Sequence, residues 1–130
     1  MDKTCLTGAV ALSIPADASM MLVARLTTAG TIARAGLTVD RMDSLKMAVE
    51  EACNCLITQE NPPAVLSLRF ESIDDKLRIL IAADAEPGSG SVDETELEIV
   101  QCILAALADH VSFDVSDGWI RSIELRAALA

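Results

Sequence analysis

Apolar residues first alternate with smaller or polar ones at Val10, Leu12 and Ile14, which predicts a strand ending at Pro15. Asp17 is the expected N-cap of a helix from about Ala18 to Ala35, with Met20, Val23, Ala24 and Ile32 inward and Gly36 as its C-cap. Asp40 reads as the next N-cap, with Asp43 in the first turn to complement the helix dipole. The helix that follows runs to about Thr58. Its buried stripe is Leu45, Ala48, Val49, Ala52 and Leu56, at i, i+3, i+4, i+7 spacing. Asn61-Pro62-Pro63 stops it.

Two strands follow, from Val65 to Glu71 and from Leu77 to Ala83, joined by a turn at Asp74-Asp75. Pro87 to Ser91 form a glycine- and serine-rich loop. A third helix is predicted from Glu94 to Asp109, with Leu97, Val100, Leu104 and Leu107 on one side. Val111 to Val115 and Trp119 to Leu129 are the last strands, hinged at Asp117-Gly118. The order β-α-α-β-β-α-β-β predicts a two-layer α/β sandwich, with helices on one face of a mixed, mostly antiparallel sheet. Residues 1–130 hold no internal repeat, low-complexity tract or linker, and read as a single domain.

Composition narrows this picture. Hydrophobic residues make up 52% of the chain but aromatics only 2%, so the core must be aliphatic. The net charge of −10, with no basic run, excludes a nucleic-acid backbone or an anionic membrane surface as partner and favours a basic protein. No apolar run approaches a membrane span, and Asp2 and Lys3 do not open a leader peptide. A cytoplasmic protein with reduced thiols is expected. Cys5, Cys53, Cys55 and Cys102 lack metal-site spacing and read as small hydrophobes. His110 is the only histidine, which rules out a multi-histidine metal site; beside Asp109 it reads as a dipole partner at the end of the third helix.

The stretch from Arg25 to Cys53 resembles the anti-sigma-factor serine kinases of the RsbW and SpoIIAB type. Arg25-Leu26-Thr27, Gly36, Asp40, Leu45-Lys46, Ala48-Val49 and Glu51-Ala52-Cys53 carry the match, and Ile14-Pro15-Ala16 fits upstream. The second half matches in element order and in the strand that ends at Asp84. The resemblance implies the GHKL, or Bergerat, ATPase fold. It also implies binding of ATP and Mg²⁺, restraint of a sigma factor, and phosphorylation of a serine on a STAS-type anti-anti-sigma factor.

The family pairs a Glu with an Asn four residues on, the first as base and the second as Mg²⁺ ligand. One register places these at Glu51 and Cys55, a rival at Glu50 and Asn54. At 3.6 residues per turn, Glu51 and Cys55 flank the buried stripe while Glu50 and Asn54 point away from it, which favours the first. That register sets a thiol where Mg²⁺ takes oxygen. The family's glycine box reads Asp84-Ala85-Glu86-Pro87-Gly88, with Asp84 in the adenine-binding place, Glu86 where the first glycine stands, and Gly88 as the second. No G-x-G opens the third helix, where Asp93, Glu94, Glu96 and Glu98 stand instead. By the same resemblance Arg25 lies near the partner-docking face. The reading that results is a partner-binding regulator with its ATP motifs degraded; the alternatives are an active serine kinase or a domain that pairs as a homodimer.

Overall fold

In the computed structural model, described for residues 6, 8–84 and 88–129, five strands and three helices follow in the expected order. They are β1 (Val10–Pro15), α1 (Met21–Ala35), α2 (Val39–Ile57), β2 (Val65–Ile73), β3 (Lys76–Ala83), α3 (Glu94–Ala105), β4 (His110–Ser116) and β5 (Trp119–Ala128). The sheet order is β1-β2-β3-β5-β4, and every pairing is antiparallel rather than mixed. Period-two alternation sends Leu66, Leu68 and Phe70 of β2, Leu77, Ile79 and Ile81 of β3, and Ile123 and Leu125 of β5 into the core. There they meet Leu45, Ala48, Val49, Ala52, Cys53 and Leu56 of α2. Phe70 and Trp119 are the only buried aromatics, so the core is aliphatic as expected. No described helix is long and apolar enough to cross a membrane.

The turns obey local chemistry. Asp74 and Asp75 both have positive φ, as do Asp117 and Gly118. This is the type I′ signature that suits the twist of two-residue hairpins, and Asp and Gly tolerate it better than other residues. The opposite face of the sheet carries a charge ladder. Arg78 binds both Glu71 and Glu124, and Glu124 also accepts from Arg126 at 2.9 Å. Burial works against charge on Glu124, but the hydrogen bonds from Arg78 and Arg126 outweigh it and hold the carboxyl below its usual range.

Four local expectations are corrected. Asp17 caps a 3₁₀ turn, Ala18–Met20, before α1 begins. The inner face of α1 is Met21, Ala24, Thr28, Thr31, Ile32 and Ala35, leaving Val23 exposed and Met20 only half-buried. Thr28 and Thr31 can sit inside because their hydroxyls donate to Ala24 O and Thr27 O, each at 2.7 Å. The N-cap of α2 is Thr38, whose hydroxyl accepts from Arg41 N at 3.2 Å, and Asp40 lies in the first turn. Finally, α3 stops at Ala105, and His110 opens β4 opposite Arg126 rather than closing a helix. Asp109 explains the early stop. Its carboxylate accepts from Arg41 Nη2 at 2.8 Å and Ala128 N at 2.7 Å, and its own N–H donates to Arg126 O. These contacts draw the chain out of the helix and into the sheet.

Candidate functional site

The C-terminal half of α2, the start of α3, the loop that leads into α3 and the β4–β5 turn line a cavity of about 480 Å³. That is within the range that small ligands occupy. Its floor is apolar, with Val92, Leu97, Val100 and Ile120, and its walls carry Glu51, Asn54, Cys55, Thr58, Glu60, Ser91 and Glu96. Three carboxylates therefore line it, and no lysine or arginine does among the described residues. Glu51, Glu60 and Glu96 form no salt bridge among the described residues.

Helix geometry explains which α2 residues arrive there. Glu51 and Cys55 are one turn apart on the flank of the buried stripe and both face the cavity. Glu50 does not line it; it turns toward α1 and stands 3.9 Å from Arg25 Nε. Asn54 of the rival register does line it, so the wall combines Glu51 from one pairing with Asn54 from the other. The Cys55 thiol is pushed up to about 11, first by burial and then by the nearby Glu51 and Glu96 charges. It is therefore neutral at physiological pH, and its sulfur is a soft donor where Mg²⁺ takes oxygen. Cys53, two residues earlier and buried in the core, is pushed up to about 12 by burial and by Glu50. Among the described residues no group of three or more His, Cys, Asp or Glu side chains is arranged to hold a metal ion.

Asp84 and Gly88 fall outside the cavity lining. Asp84 is exposed at the end of β3, its N–H donating to Val65 O at 2.9 Å. Gly88 lies against the Trp119 indole, where an added Cβ would be 3.2 Å from Cε2. Glu86 lies outside the described residues. The following loop is stitched to the β4–β5 turn, with Gly90 N donating to Asp117 O and Val92 N to Gly118 O, each at 3.0 Å. At the start of α3 the Asp93 carboxylate accepts from Glu96 N at 2.8 Å. The helix thus uses its own side chain where a phosphate-binding helix offers free N–H groups.

Sequence reasoning missed the residues that brace this site. The Gln59 side chain donates to Ile120 O at 3.0 Å and accepts from Ile120 N at 2.7 Å, fixing the end of α2 to β5. Trp119 Nε1 donates to Asn61 O at 2.8 Å, and Asn61 Nδ2 donates to Ser89 O at 2.6 Å. A lone buried tryptophan whose indole N–H needs a partner was the available signal. The partners themselves lie some sixty residues away in sequence.

With no cation in the described lining, the carboxylates oppose the charge of a triphosphate, and the Cys55 sulfur is a poor ligand for Mg²⁺. The hard oxygen donors present include those carboxylates, the Asn54 and Gln59 amides and the Thr58 hydroxyl.

No protein-family model matches the chain. It is 30% identical over 80 residues to the serine-protein kinase RsbW of Bacillus subtilis, covering 59% of this chain and 50% of that protein. It is 31% identical over 77 residues to the serine-protein kinase RsbW of Staphylococcus aureus, covering 56% and 48%. The chain thus spans about half the length of the curated relatives it matches. Its fold overlays 95% of its length on a solved chain holding the RsbU and RsbW domains of a Mycobacterium tuberculosis protein, at a TM-score of 0.72, 12% identity and 32% of that chain. Sequence and fold agree: over about half their length the chain is similar to serine-protein kinases named RsbW, and its GHKL-type α/β sandwich is the fold of a solved chain that holds an RsbW domain.

Proposed function

We propose that this chain is a cytoplasmic regulator that binds protein partners, a sigma factor or a STAS-type anti-anti-sigma factor, and that its handling of ATP is impaired. One observation carries the second half of this reading. The cavity places Cys55 as a neutral thiol beside Glu51, among carboxylates with no lysine or arginine in the described lining. Carboxylates without a cation repel a triphosphate, and a protonated thiol is a poor substitute for the oxygen that Mg²⁺ takes. The stitching of Gly90 and Val92 to the β4–β5 turn and the self-capping of α3 support the same reading.

The first half rests on the relatives and on α1. Helix α1 carries Arg25 and Arg34 and no acidic residue, in a chain of net charge −10. Arg25 is half-exposed and only loosely engaged by Glu50, which leaves its planar guanidinium available for a partner carboxylate.

An active ATP-dependent serine kinase is the second reading. The relatives are named serine-protein kinases, and Glu51 and Asn54 share one cavity. In that reading Glu51 is the base, Cys55 stands in the metal position, and Asp84 meets adenine.

Partner binding is tested by calorimetry, with the purified sigma factor and STAS-type protein encoded nearest to this gene. Binding of either, weakened roughly tenfold by Arg25→Ala, is the expected result. Failure of both to bind at about 100 µM contradicts the proposal.

A further inference from the structure

Most of the large hydrophobic side chains that the described surface exposes lie in two patches. One is Leu22, Val23 and Leu26 on α1. The other spans α2 and α3: Met47 is 58% exposed, Ile99 57% and Ile103 41%. The second patch is continuous by geometry. Cys55 near the end of α2 shares the cavity with Glu96 near the start of α3, and Arg41 near the start of α2 binds Asp109 just beyond the end of α3. The two helices are therefore antiparallel, with Met47 level with Ile103 and Glu51 level with Ile99 and Val100. By that register the three exposed apolar side chains flank the groove between the two helices, with the acidic cavity beside it.

The charge around this groove is mostly negative. On α2, Asp43 and Glu50 lie within one turn of Met47, and Glu51 follows at its i+4 position. On α3, Glu96 stands one turn before Ile99. Asp43 and Glu50 have loose exposed partners, Lys46 at 3.6 Å and Arg25 at 3.9 Å. Such contacts hold little energy and yield readily to a better cation.

We infer that the α2–α3 groove is a docking surface for a basic amphipathic helix of a partner protein. Its apolar face would cover Met47, Ile99 and Ile103, and its lysines or arginines would meet Asp43, Glu50, Glu51 and Glu96. This names a surface and a partner chemistry for the partner-binding function proposed above and rests on that reading. Helix α3 has 12 residues, about 18 Å, which accommodates roughly three turns of a docked helix. The apolar side chains would supply affinity, while the carboxylates and the net charge of −10 would speed encounter and select a basic partner.

The α1 of a second copy is the competing occupant, since it too is basic and apolar. Two copies of net charge −10 repel at long range, which favours a basic partner over self-pairing.

The probe is a fluorescently labelled synthetic helix of about 18 residues, with leucine on one face and lysine on the other, read by anisotropy. Its controls are the same peptide with glutamate for lysine, and a scrambled Leu/Lys sequence. The lysine helix is expected to bind at micromolar concentration and the two controls at least tenfold more weakly. Ile99→Ser with Ile103→Ser changes only exposed side chains, keeps the charge, and is expected to weaken binding at least tenfold. A thermal melt checks that this variant is folded.

No binding of the lysine helix at about 100 µM overturns the inference. So does equal binding of the scrambled peptide, or undiminished binding by the double-serine variant. Sedimentation equilibrium of the protein alone completes the test. A dimer that the double-serine variant dissociates would assign the groove to a second copy instead. Failure here, with Arg25-dependent binding of the sigma factor or STAS-type protein intact, would sink the groove and leave the partner-binding reading standing.

Discussion

Gly90 and Gly118 meet backbone to backbone, so closely that a Cβ on Gly90 would lie 2.6 Å from the Gly118 carbonyl oxygen. The contact closes the loop before α3 onto the β4–β5 turn, and both glycines line the cavity. Packing against protein backbone requires glycine at Gly90. Gly90→Ala must displace backbone rather than a flexible side chain. It is expected to cost about 1–3 kcal/mol, measured by urea denaturation. A loss below about 0.5 kcal/mol would show that the loop is not held in this contact.

The cysteines are expected to differ sharply toward an alkylating reagent at neutral pH. Cys5 lies outside the described residues; of the other three, Cys102 is exposed and should react first, and Cys53, in the core, should be inert until the protein unfolds. Cys55 is partly accessible, but with its thiol pushed up to about 11 only on the order of 10⁻⁴ of it is thiolate at pH 7. Its rate should climb about tenfold per pH unit until about pH 11, provided the fold persists. Mass spectrometry of peptides from a timed reaction reads this directly. Modification of Cys55 as fast as Cys102 at pH 7 would mean that the cavity is more open or less acidic than described.

Acid should weaken the fold in part through Glu124. Its folded carboxyl sits below the usual range, so the unfolded chain binds its proton more readily than the folded one. The stability it contributes is complete above the unfolded value of about 4.3 and is lost as pH falls through the lowered folded value. Glu124→Gln is expected to be less stable by up to about 1 kcal/mol at pH 7, and its melting temperature should fall less steeply on acidification. Asp109 is lowered too, by the hydrogen bond from Ala128 N and by Arg41, and should account for part of the remaining slope. Parallel melting curves for the two proteins from pH 7 to pH 2 decide this.

Much of the architecture was legible because the chain is locally consistent. The α2 stripe from Leu45 to Leu56, the turns at Asp74-Asp75 and Asp117-Gly118, and the Gly36 cap were all found where period and turn chemistry put them. What escaped rests on polar side chains satisfied inside a helix and on contacts distant in sequence. Thr28 and Thr31 are buried because their hydroxyls are satisfied within the helix, which hydrophobic counting does not register. The end of α3 is set by Asp109 reaching Arg41 and Ala128, neither of them a local signal.

The candidate site was half legible for the same reason. The family resemblance supplied the Glu51–Cys55 register, helix geometry favoured it, and both residues line the cavity; Asn54, which the same geometry turned away, lines it too. The role of the glycines was not legible, because a glycine kept for a phosphate and one kept for an indole ring or a neighbouring backbone look alike in sequence. Gly88 and Gly90 face Trp119 and Gly118.

We propose that the fold of the RsbW kinases is kept here while the handling of nucleotide is largely lost. The decisive measurement is a thermal-shift titration with Mg-ATP and Mg-ADP, because a ligand bound to the folded state raises stability by RT ln(1 + [L]/Kd). The expected result is no significant shift at millimolar nucleotide, in the wild-type chain or in Asp84→Asn. A clear rise in melting temperature for the wild-type chain that disappears in Asp84→Asn would contradict the claim and restore the ATP-dependent kinase reading.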